Sequence, residues 1–360
     1  METPSLSIVV PTFDRPHYLR NCLESLVNQT SRDFEVVVVA NGALESSYTV
    51  IDEFKVLLPA LKVVRIDENI WSWEDLSVFL RGVYKAGLDA SSGEFILFLS
   101  DDNALSEEFV ERVLRIFASN PECVGVTGSC INRDLVTGRE YRSLNVQDAM
   151  QRPVLEDGKS LALRALSSNQ ADRGDLSDPG FGYVIKTSLY RDEEVQESIW
   201  MGYEDKQIQF LLPQGLVGFD FEATYYWGRH PEQSNKVLNK RIGMLRFYLP
   251  PQRLGQARSL QFWNSRFGPD WATRLNKIYR EERFPRSLRL IWQDSSYVLH
   301  AIVDIWQITH HPRAIKEFFR TDAREVIFWI VMPQALWILF VRICRRGGKA
   351  LRDRIRSGDK

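Results

Sequence analysis

The chain has 360 residues, more than a single hydrophobic core usually serves, so we expect an N-terminal domain followed by a substantial appendage. Hydrophobic residues make up 44% and charged residues 26% of the sequence, which is ordinary for a folded protein. The net charge of -1 argues against a nucleic-acid-binding protein, so we expect no nucleic acid partner. The four cysteines form no Cys-x-x-Cys pair, which indicates free thiols in a reducing compartment rather than disulfides or a zinc site.

Apolar strands alternate with amphipathic helices in the first 129 residues, at the spacing of roughly thirty residues that is typical of a βαβ unit. The predicted strands cover residues 6–10, 34–39, 62–66, 94–99 and 123–127. The first helix is predicted to begin near Pro16, because the fixed φ of proline suits the first helical position. This order predicts an α/β fold with a Rossmann-like, mostly parallel central sheet flanked by helices.

The predicted strand 94–99 runs directly into two adjacent carboxylates, Asp101 and Asp102. Open α/β sheets bind their ligands at the carboxyl ends of the strands, so two acids at this point indicate a metal site. We expect Ser106 to cap the helix that follows, which would hold the acidic loop in place. An Asp-Asp-Asn turn with capping side chains explains the same residues without any ligand, so this segment alone leaves both interpretations open.

Several motifs taken together resemble family 2 glycosyltransferases with the GT-A fold. They are SIVVPTFDR at 7–15, LESLVNQT at 23–30, FEVVVV at 34–39, SGE at 92–94, SDDN at 100–103 and GYED at 202–205. Singly each motif is weak, but their combination is specific. The resemblance implies a GT-A catalytic domain over residues 1–235. It also implies transfer of a sugar, with inversion, from a nucleotide-diphosphate donor to an acceptor hydroxyl.

The resemblance further implies a divalent cofactor, Mg²⁺ or Mn²⁺, held by Asp102. Asp101 would lie toward the donor ribose or a metal-bound water. Such an ion stabilises the charge that grows on the leaving diphosphate, and oxygen ligands suit it. His230 falls where some GT-A enzymes place a histidine that touches the metal or the pyrophosphate, although a lone histidine beside aromatic residues is often structural. Arg229 is a further candidate for binding the donor phosphates.

The acceptor hydroxyl is a poor nucleophile and needs a general base. Glu204 and Asp205 occupy the position of the family's base motif, and we expect Asp205 to be the catalytic base. Acids in the first turn of a helix are also favoured by the helix dipole, which is the structural alternative for this pair.

We expect the donor pocket to be formed by the loops that follow the first two strands, with Pro11, Thr12, Phe13, Arg15 and Asn41. The chain departs from the family pattern at Ala40, where many relatives carry an acid that helps to recognise the base. Asn41, or Asp67 after the third strand, is therefore predicted to hydrogen-bond the nucleotide base instead.

A helical C-terminal region is predicted for residues 236–360. Its longest nearly apolar run, 326–344, is interrupted by Pro333 and Arg342 and followed by a basic tail at 345–360. This run could span a bilayer, lie in its interface or form a core helix. The N-terminus lacks the pattern of a secretory signal, so we expect a cytoplasmic catalytic part. A single span would then send the basic tail outside, so we favour a peripheral or monotopic helix at the cytoplasmic face of the inner membrane.

These patterns predict a metal-dependent inverting glycosyltransferase of bacterial-type surface polysaccharide or glycolipid assembly. We expect its partners to be a nucleotide-sugar donor and a glycan or lipid-linked acceptor. One alternative is an enzyme that transfers the sugar to polyprenyl phosphate itself. The other is a non-catalytic GT-A scaffold subunit of a polysaccharide assembly complex, which the substitution at Ala40 keeps open.

Overall fold

A computed structural model describes residues 3–71, 80–142, 154–166, 182–197, 207–233 and 261–278. Its strands are β1 (Leu6–Thr12), β2 (Phe34–Asn41), β3 (Leu61–Ile66), β4 (Phe95–Phe98), β5 (Ala104–Leu105), β6 (Cys123–Asp134), β7 (Glu140–Arg142), β8 (Leu155–Asp157), β9 (Val184–Lys186) and β10 (Leu216–Arg229). The α-helices are α1 (Pro16–Val27), α2 (Glu45–Lys55), α3 (Lys85–Ala90), α4 (Phe109–Ser119), α5 (Gly158–Leu166), α6 (Thr187–Arg191), α7 (Glu193–Glu197) and α8 (Pro269–Ile278). Leu80–Tyr84 and Gln207–Leu211 form π-helical turns, and Leu212–Gln214 forms a 3₁₀ turn.

The strands form one mixed sheet in the order β3-β2-β1-β4-β9-β6-β10-β5, with β7 paired to β6 and β8 paired to β10. Strand β1 is parallel to β2 and β4, and β2 is parallel to β3, which confirms the predicted α/β class. The sheet is not parallel throughout, because β9 is antiparallel to both β4 and β6. The sequence did not predict β9, since a strand of three residues is too short for a periodic pattern.

The central strands are apolar on both faces because helices cover both faces of the sheet. Along β1, Ile8 and Val10 join a core cluster that contains the buried side of α1, while Val9 joins the cluster on the other face. Helix α1 begins at Pro16, as predicted, and buries Leu19, Cys22, Leu23 and Leu26. The predicted apolar face of this helix therefore packs on the sheet.

The predicted cap of the fourth helix is wrong. Helix α4 begins at Phe109 after Glu108, and no side chain caps it by a hydrogen bond. Ser106 Oγ instead accepts a hydrogen bond from the backbone N–H of Thr224, at 3.0 Å. Thr224 lies where the pairing of β10 with β6 shifts register, so its N–H lacks the regular ladder geometry and is bound by this serine.

The buried carboxylate of Glu35 links the strands near their N-terminal ends. Glu35 Oε1 accepts hydrogen bonds from Ser7 Oγ and from the Ser92 N–H, both at 2.6 Å, and Oε2 pairs with Lys62 Nζ at 2.6 Å. Burial alone would raise the pKa of Glu35, but the donors from Lys62, Ser7 and Ser92 outweigh it and hold the pKa below its ordinary value. The ionised carboxylate therefore links β1, β2, β3 and the segment before β4.

The described residues all belong to one compact unit, which includes the helical segment 261–278 as well as the described residues before 234. Trp263, 1% exposed, stacks with its ring centroid 6.0 Å from that of Phe210. The predicted membrane-associated run 326–344 and the basic tail lie outside the described residues. Within the described part of the chain, the structure contains no helix with both the length and the apolar character needed to cross a bilayer.

Candidate functional site

The carboxyl ends of β1 and β4 bring the predicted donor loop and the acidic pair together. The two strands are parallel neighbours, so the residues that follow them meet at one edge of the sheet. Thr12 Oγ1 donates a hydrogen bond to Asp101 Oδ2 at 2.8 Å. Arg15, which follows the same strand, donates to the other oxygen of Asp101 and to Asp102 Oδ2, the latter at 3.1 Å. One guanidinium therefore bridges both carboxylates.

The two acids differ in their environment. The Asp101 side chain is fully buried, whereas that of Asp102 is 10% exposed. Burial and the neighbouring charge of Asp102 outweigh the attraction of Arg15 and raise the pKa of Asp101 to about 6. Burial would lower the pKa of Arg15, but the two carboxylates hold it above its ordinary value. Arg15 therefore remains a cation, and Asp102 is the more accessible carboxylate of the pair.

His230 contacts Asp102 although the two residues are 128 positions apart in the chain. It follows β10, is 1% exposed, and places Nε2 3.0 Å from Asp102 Oδ2. The Tyr18 ring of α1 lies against the imidazole, with 4.3 Å between the ring centroids. The structure therefore brings together Asp102 and His230, both predicted from the sequence as metal ligands.

Two residues that the sequence analysis missed hold His230 in this position. Asn103 donates through Nδ2 to the Tyr225 hydroxyl at 2.6 Å and accepts through Oδ1 from the Gly228 N–H at 2.9 Å. A Cβ at Gly228 would overlap the backbone carbonyl of Asp102, so only glycine allows this approach. The role of Asn103 could have been predicted from its place directly after the two acids. The sequence around Gly228 gives no such indication, because the residues that it contacts, Asp102 and Asn103, lie more than a hundred positions away.

The donor atoms of Asp102 and His230 suit a divalent ion. The 3.0 Å between Asp102 Oδ2 and His230 Nε2 is a hydrogen-bond distance. It is also the separation of two adjacent ligands of an ion with metal–ligand distances of about 2.1 Å. Among the described residues, no group of three or more His, Cys, Asp or Glu side chains could hold a metal ion. An ion held here by Asp102 and His230 would need further ligands from phosphate oxygens and water, and the divalent cofactor stays a prediction.

Asn41 lies at the predicted edge of the donor pocket, but its side chain is engaged by a neighbouring loop. Its Nδ2 donates to Asn69 Oδ1 at 2.8 Å, and its Oδ1 accepts from the Ile70 N–H at 3.1 Å. Asp67 is exposed after β3, and Phe13 is 41% exposed beside the site. Pro11 lies within β1, in line with Thr12. Contact of Asn41 and Asp67 with a nucleotide base stays a prediction.

Arg229 ends β10 next to His230. Its guanidinium carbon lies 4.2 Å from the Trp227 ring centroid, and its buried NH1 group has no hydrogen-bond partner among the described residues. A buried guanidinium nitrogen without a partner suits an anionic ligand, and the phosphate contact of Arg229 stays a prediction. The predicted base motif, Glu204 and Asp205, lies outside the described residues.

Residues 7–173 match the family model of glycosyl transferase family 2. EpsH of Bacillus subtilis is 30% identical over 124 residues, which are 34% of this chain and 33% of EpsH. A GalNAc(5)-diNAcBac-PP-undecaprenol beta-1,3-glucosyltransferase of Campylobacter jejuni is 28% identical over 136 residues, 36% of this chain and 38% of that protein. The matched segments thus span little more than a third of these relatives.

The fold is similar to that of TarS 1-349 from S. aureus, whose crystal structure was determined in complex with UDP-GlcNAc. The TM-score is 0.54 at 15% sequence identity, and the alignment covers 82% of this chain and 79% of that chain. At this identity the likeness supports the GT-A-like architecture and nothing finer.

Proposed function

We propose that this chain, whose residues 7–173 match the model of glycosyl transferase family 2, transfers a sugar from a nucleotide-diphosphate donor to an acceptor hydroxyl, with inversion. The observation that carries the proposal is the cluster of Arg15, Asp101, Asp102 and His230 at the carboxyl ends of the strands. The named activity of the Campylobacter jejuni relative and the UDP-GlcNAc complex of TarS support a nucleotide sugar and a bacterial glycan or glycolipid.

We propose Asp102 and His230 as the residues that hold Mn²⁺ or Mg²⁺. The ion would supply positive charge beside the diphosphate, where negative charge grows as the sugar leaves. Thr12 and Arg15 fix the orientation of Asp101, and Arg15 also holds Asp102 Oδ2. The NH1 group of Arg229 would donate a hydrogen bond to a phosphate oxygen.

The general base must come from outside the described cluster. Asp101 and Asp102 are both bonded to Arg15, and Asp101 is fully buried, so neither is placed to take a proton from an acceptor hydroxyl. We propose Asp205, with Glu204 as its neighbour, as the base. A peripheral position at the cytoplasmic face of the inner membrane, through residues 326–344 and 345–360, completes the proposal.

The test is calorimetric titration of the full chain with UDP, GDP, dTDP and CDP, each with and without Mn²⁺. We expect one nucleotide to bind in a Mn²⁺-dependent manner, and we expect Asp102→Asn to abolish the metal dependence. Asp89→Asn is the matched control, because Asp89 is an exposed residue of α3 paired only at the surface with Lys85. If the folded protein binds none of the four nucleotides, the enzyme proposal fails and the scaffold alternative gains support.

A further inference from the structure

A cleft of about 510 Å³ lies beside Asp102. Its lining includes Tyr18 and Asn21 of α1 and the loop that begins at Asp102. Arg133 and Tyr226, near the ends of β6 and β10, also line it. We call this the α1 cleft. It shares Asp102 with the cluster described above, whereas Thr12 and Arg15 are not among its described lining residues.

The walls of the α1 cleft are held in place before any ligand binds. Ser25 Oγ accepts a hydrogen bond from the Leu105 N–H at 3.2 Å. Gln29 donates through Nε2 to the Ser106 carbonyl at 2.8 Å and accepts through Oε1 from the Val110 N–H at 3.0 Å. These bonds join α1 to the loop after β4 and to α4. A cleft with walls fixed in this way loses little entropy on binding.

The lining combines flat groups with short polar side chains. The Arg133 guanidinium carbon lies over the Tyr226 ring, 3.7 Å from its centroid, so the guanidinium stacks on one face of the ring and fixes its position. Asn21 and Asn28, seven residues apart on α1 and at its end, both face the cleft, as helical spacing predicts. An aromatic surface with a few amide and hydroxyl groups suits a ligand that has both an apolar face and many hydroxyls.

The charge of the lining selects against anions. Glu24, Glu107 and Asp102 line the cleft, and Arg133 is its one described lining cation. Arg133 is already paired with Glu140, at 2.7 Å. A phosphate group in the cleft would meet the carboxylates of Glu24 and Glu107, while Asp102 is paired with Arg15 and Arg133 with Glu140, so the charge of the lining is unfavourable for an anion. A neutral hydroxylated ligand meets no such penalty.

We propose that the α1 cleft binds a neutral sugar unit of the acceptor glycan, next to the site where the donor diphosphate binds. The inference rests on the proposed function, because it assigns the substrate class of the same reaction. It favours a glycan acceptor that presents an uncharged sugar over polyprenyl phosphate as the group that enters this cleft.

The test is saturation-transfer NMR on the full chain with millimolar methyl glycosides of glucose, galactose and N-acetylglucosamine, and with glucose 1-phosphate as the charged counterpart. We expect a saturation-transfer signal from at least one neutral glycoside and a weaker signal from glucose 1-phosphate. Tyr226→Ala should weaken glycoside binding by about three- to tenfold, the range expected for loss of one aromatic contact. Asn21→Ala, on an exposed helical position, should also weaken it without threatening the fold. Tyr141→Ala is the matched control, because Tyr141 is 44% exposed on β7 and lies outside the cleft.

The same samples are titrated with UDP, GDP, dTDP and CDP in the presence of Mn²⁺, which separates this inference from the proposed function. If a nucleotide binds but no glycoside does, or if Tyr226→Ala and Asn21→Ala bind glycosides as well as Tyr141→Ala, the cleft assignment is wrong while the donor site stands. Stronger binding of glucose 1-phosphate than of the neutral glycosides would also overturn it. If no nucleotide binds to the folded protein, the proposed function fails, and the cleft assignment that rests on it fails with it.

Discussion

Replacing Gly228 with alanine tests whether the close approach of β10 to the acidic loop positions His230. The added Cβ would overlap the backbone carbonyl of Asp102 and would lie 2.8 Å from Leu135 Cδ1. The leucine methyl can rotate away, but the Asp102 carbonyl belongs to the backbone and cannot. The strand and the loop must therefore separate. The hydrogen bond from the Gly228 N–H to Asn103 Oδ1, 2.9 Å long, then breaks.

The expected cost has two parts. Overpacking of a tight contact costs about 1–3 kcal/mol, and a lost buried hydrogen bond costs about 1 kcal/mol more. We therefore expect Gly228→Ala to lower the free energy of unfolding by about 2–4 kcal/mol. His230 lies two residues further on, so its Nε2 moves away from Asp102. Loss of one ligand position should weaken Mn²⁺-dependent nucleotide binding by about 10- to 100-fold.

Urea denaturation measures the first effect, and calorimetric titration of nucleotide with Mn²⁺ measures the second. Gly138→Ala is the control, because Gly138 has a φ of +71° and nothing within 4 Å of an added Cβ. That substitution should cost about 1 kcal/mol in backbone strain and leave nucleotide binding unchanged. If Gly228→Ala matches this control in both measurements, the argument that β10 positions His230 by close contact is refuted.

Three further predictions concern the stability of the fold. Glu35→Gln should lower the free energy of unfolding by about 1–3 kcal/mol at neutral pH. Because the folded pKa of Glu35 lies below its ordinary value of 4.5, this stabilisation is complete above that pH and is lost as the pH falls through the folded pKa. Tyr225→Phe removes the hydroxyl that accepts from Asn103 and should cost about 1–2 kcal/mol, measured by urea denaturation. Trp263→Ala should cost about 3–5 kcal/mol, because Trp263 is buried against Phe210, and thermal melting should show it.

Controls at exposed positions distinguish these effects from nonspecific damage. Glu45→Gln and Tyr141→Phe should each change the free energy of unfolding by less than about 0.5 kcal/mol. A destabilisation by Glu35→Gln that is equal at pH 7 and pH 3 would contradict the assigned pKa direction. Tyr225→Phe as stable as the parent would show that Asn103 finds another partner. A Trp263→Ala variant with the same melting temperature as the parent would contradict the packing of segment 261–278 on the domain.

The residues around Asp102 show which features a local sequence pattern reveals and which it does not. The apolar strand before Asp101 and Asp102 is visible in the sequence because a strand covered on both faces needs a continuous apolar run. Proline at the first position of α1 likewise marks the helix start, since its φ suits that position. Both features depend on residues that are adjacent in the chain, so they can be predicted from the sequence. The family resemblance added His230 as a candidate ligand, but only the structure brings its Nε2 within 3.0 Å of Asp102.

Other features depend on partners that are distant in the sequence. Ser106 has the side chain of a helix cap, yet its hydroxyl accepts a hydrogen bond from the Thr224 N–H. A register shift between β10 and β6 leaves this N–H without a regular strand partner. Asn41 has the chemistry of a base-binding residue, yet its amide joins two loops.

The sequence by itself determined the parallel strands around β1 and the acidic loop after β4, because these follow from continuous local patterns. Its motifs, taken together, resemble those of family 2 glycosyltransferases. The tertiary structure alone decided that Arg15 bridges both acids, that Gly228 admits the Asp102 carbonyl and that the α1 cleft opens beside them. Each of these joins side chains or backbone atoms from segments far apart in the chain. Residue types and spacing specify which groups can bond, but the pairing of distant strands selects which of them meet.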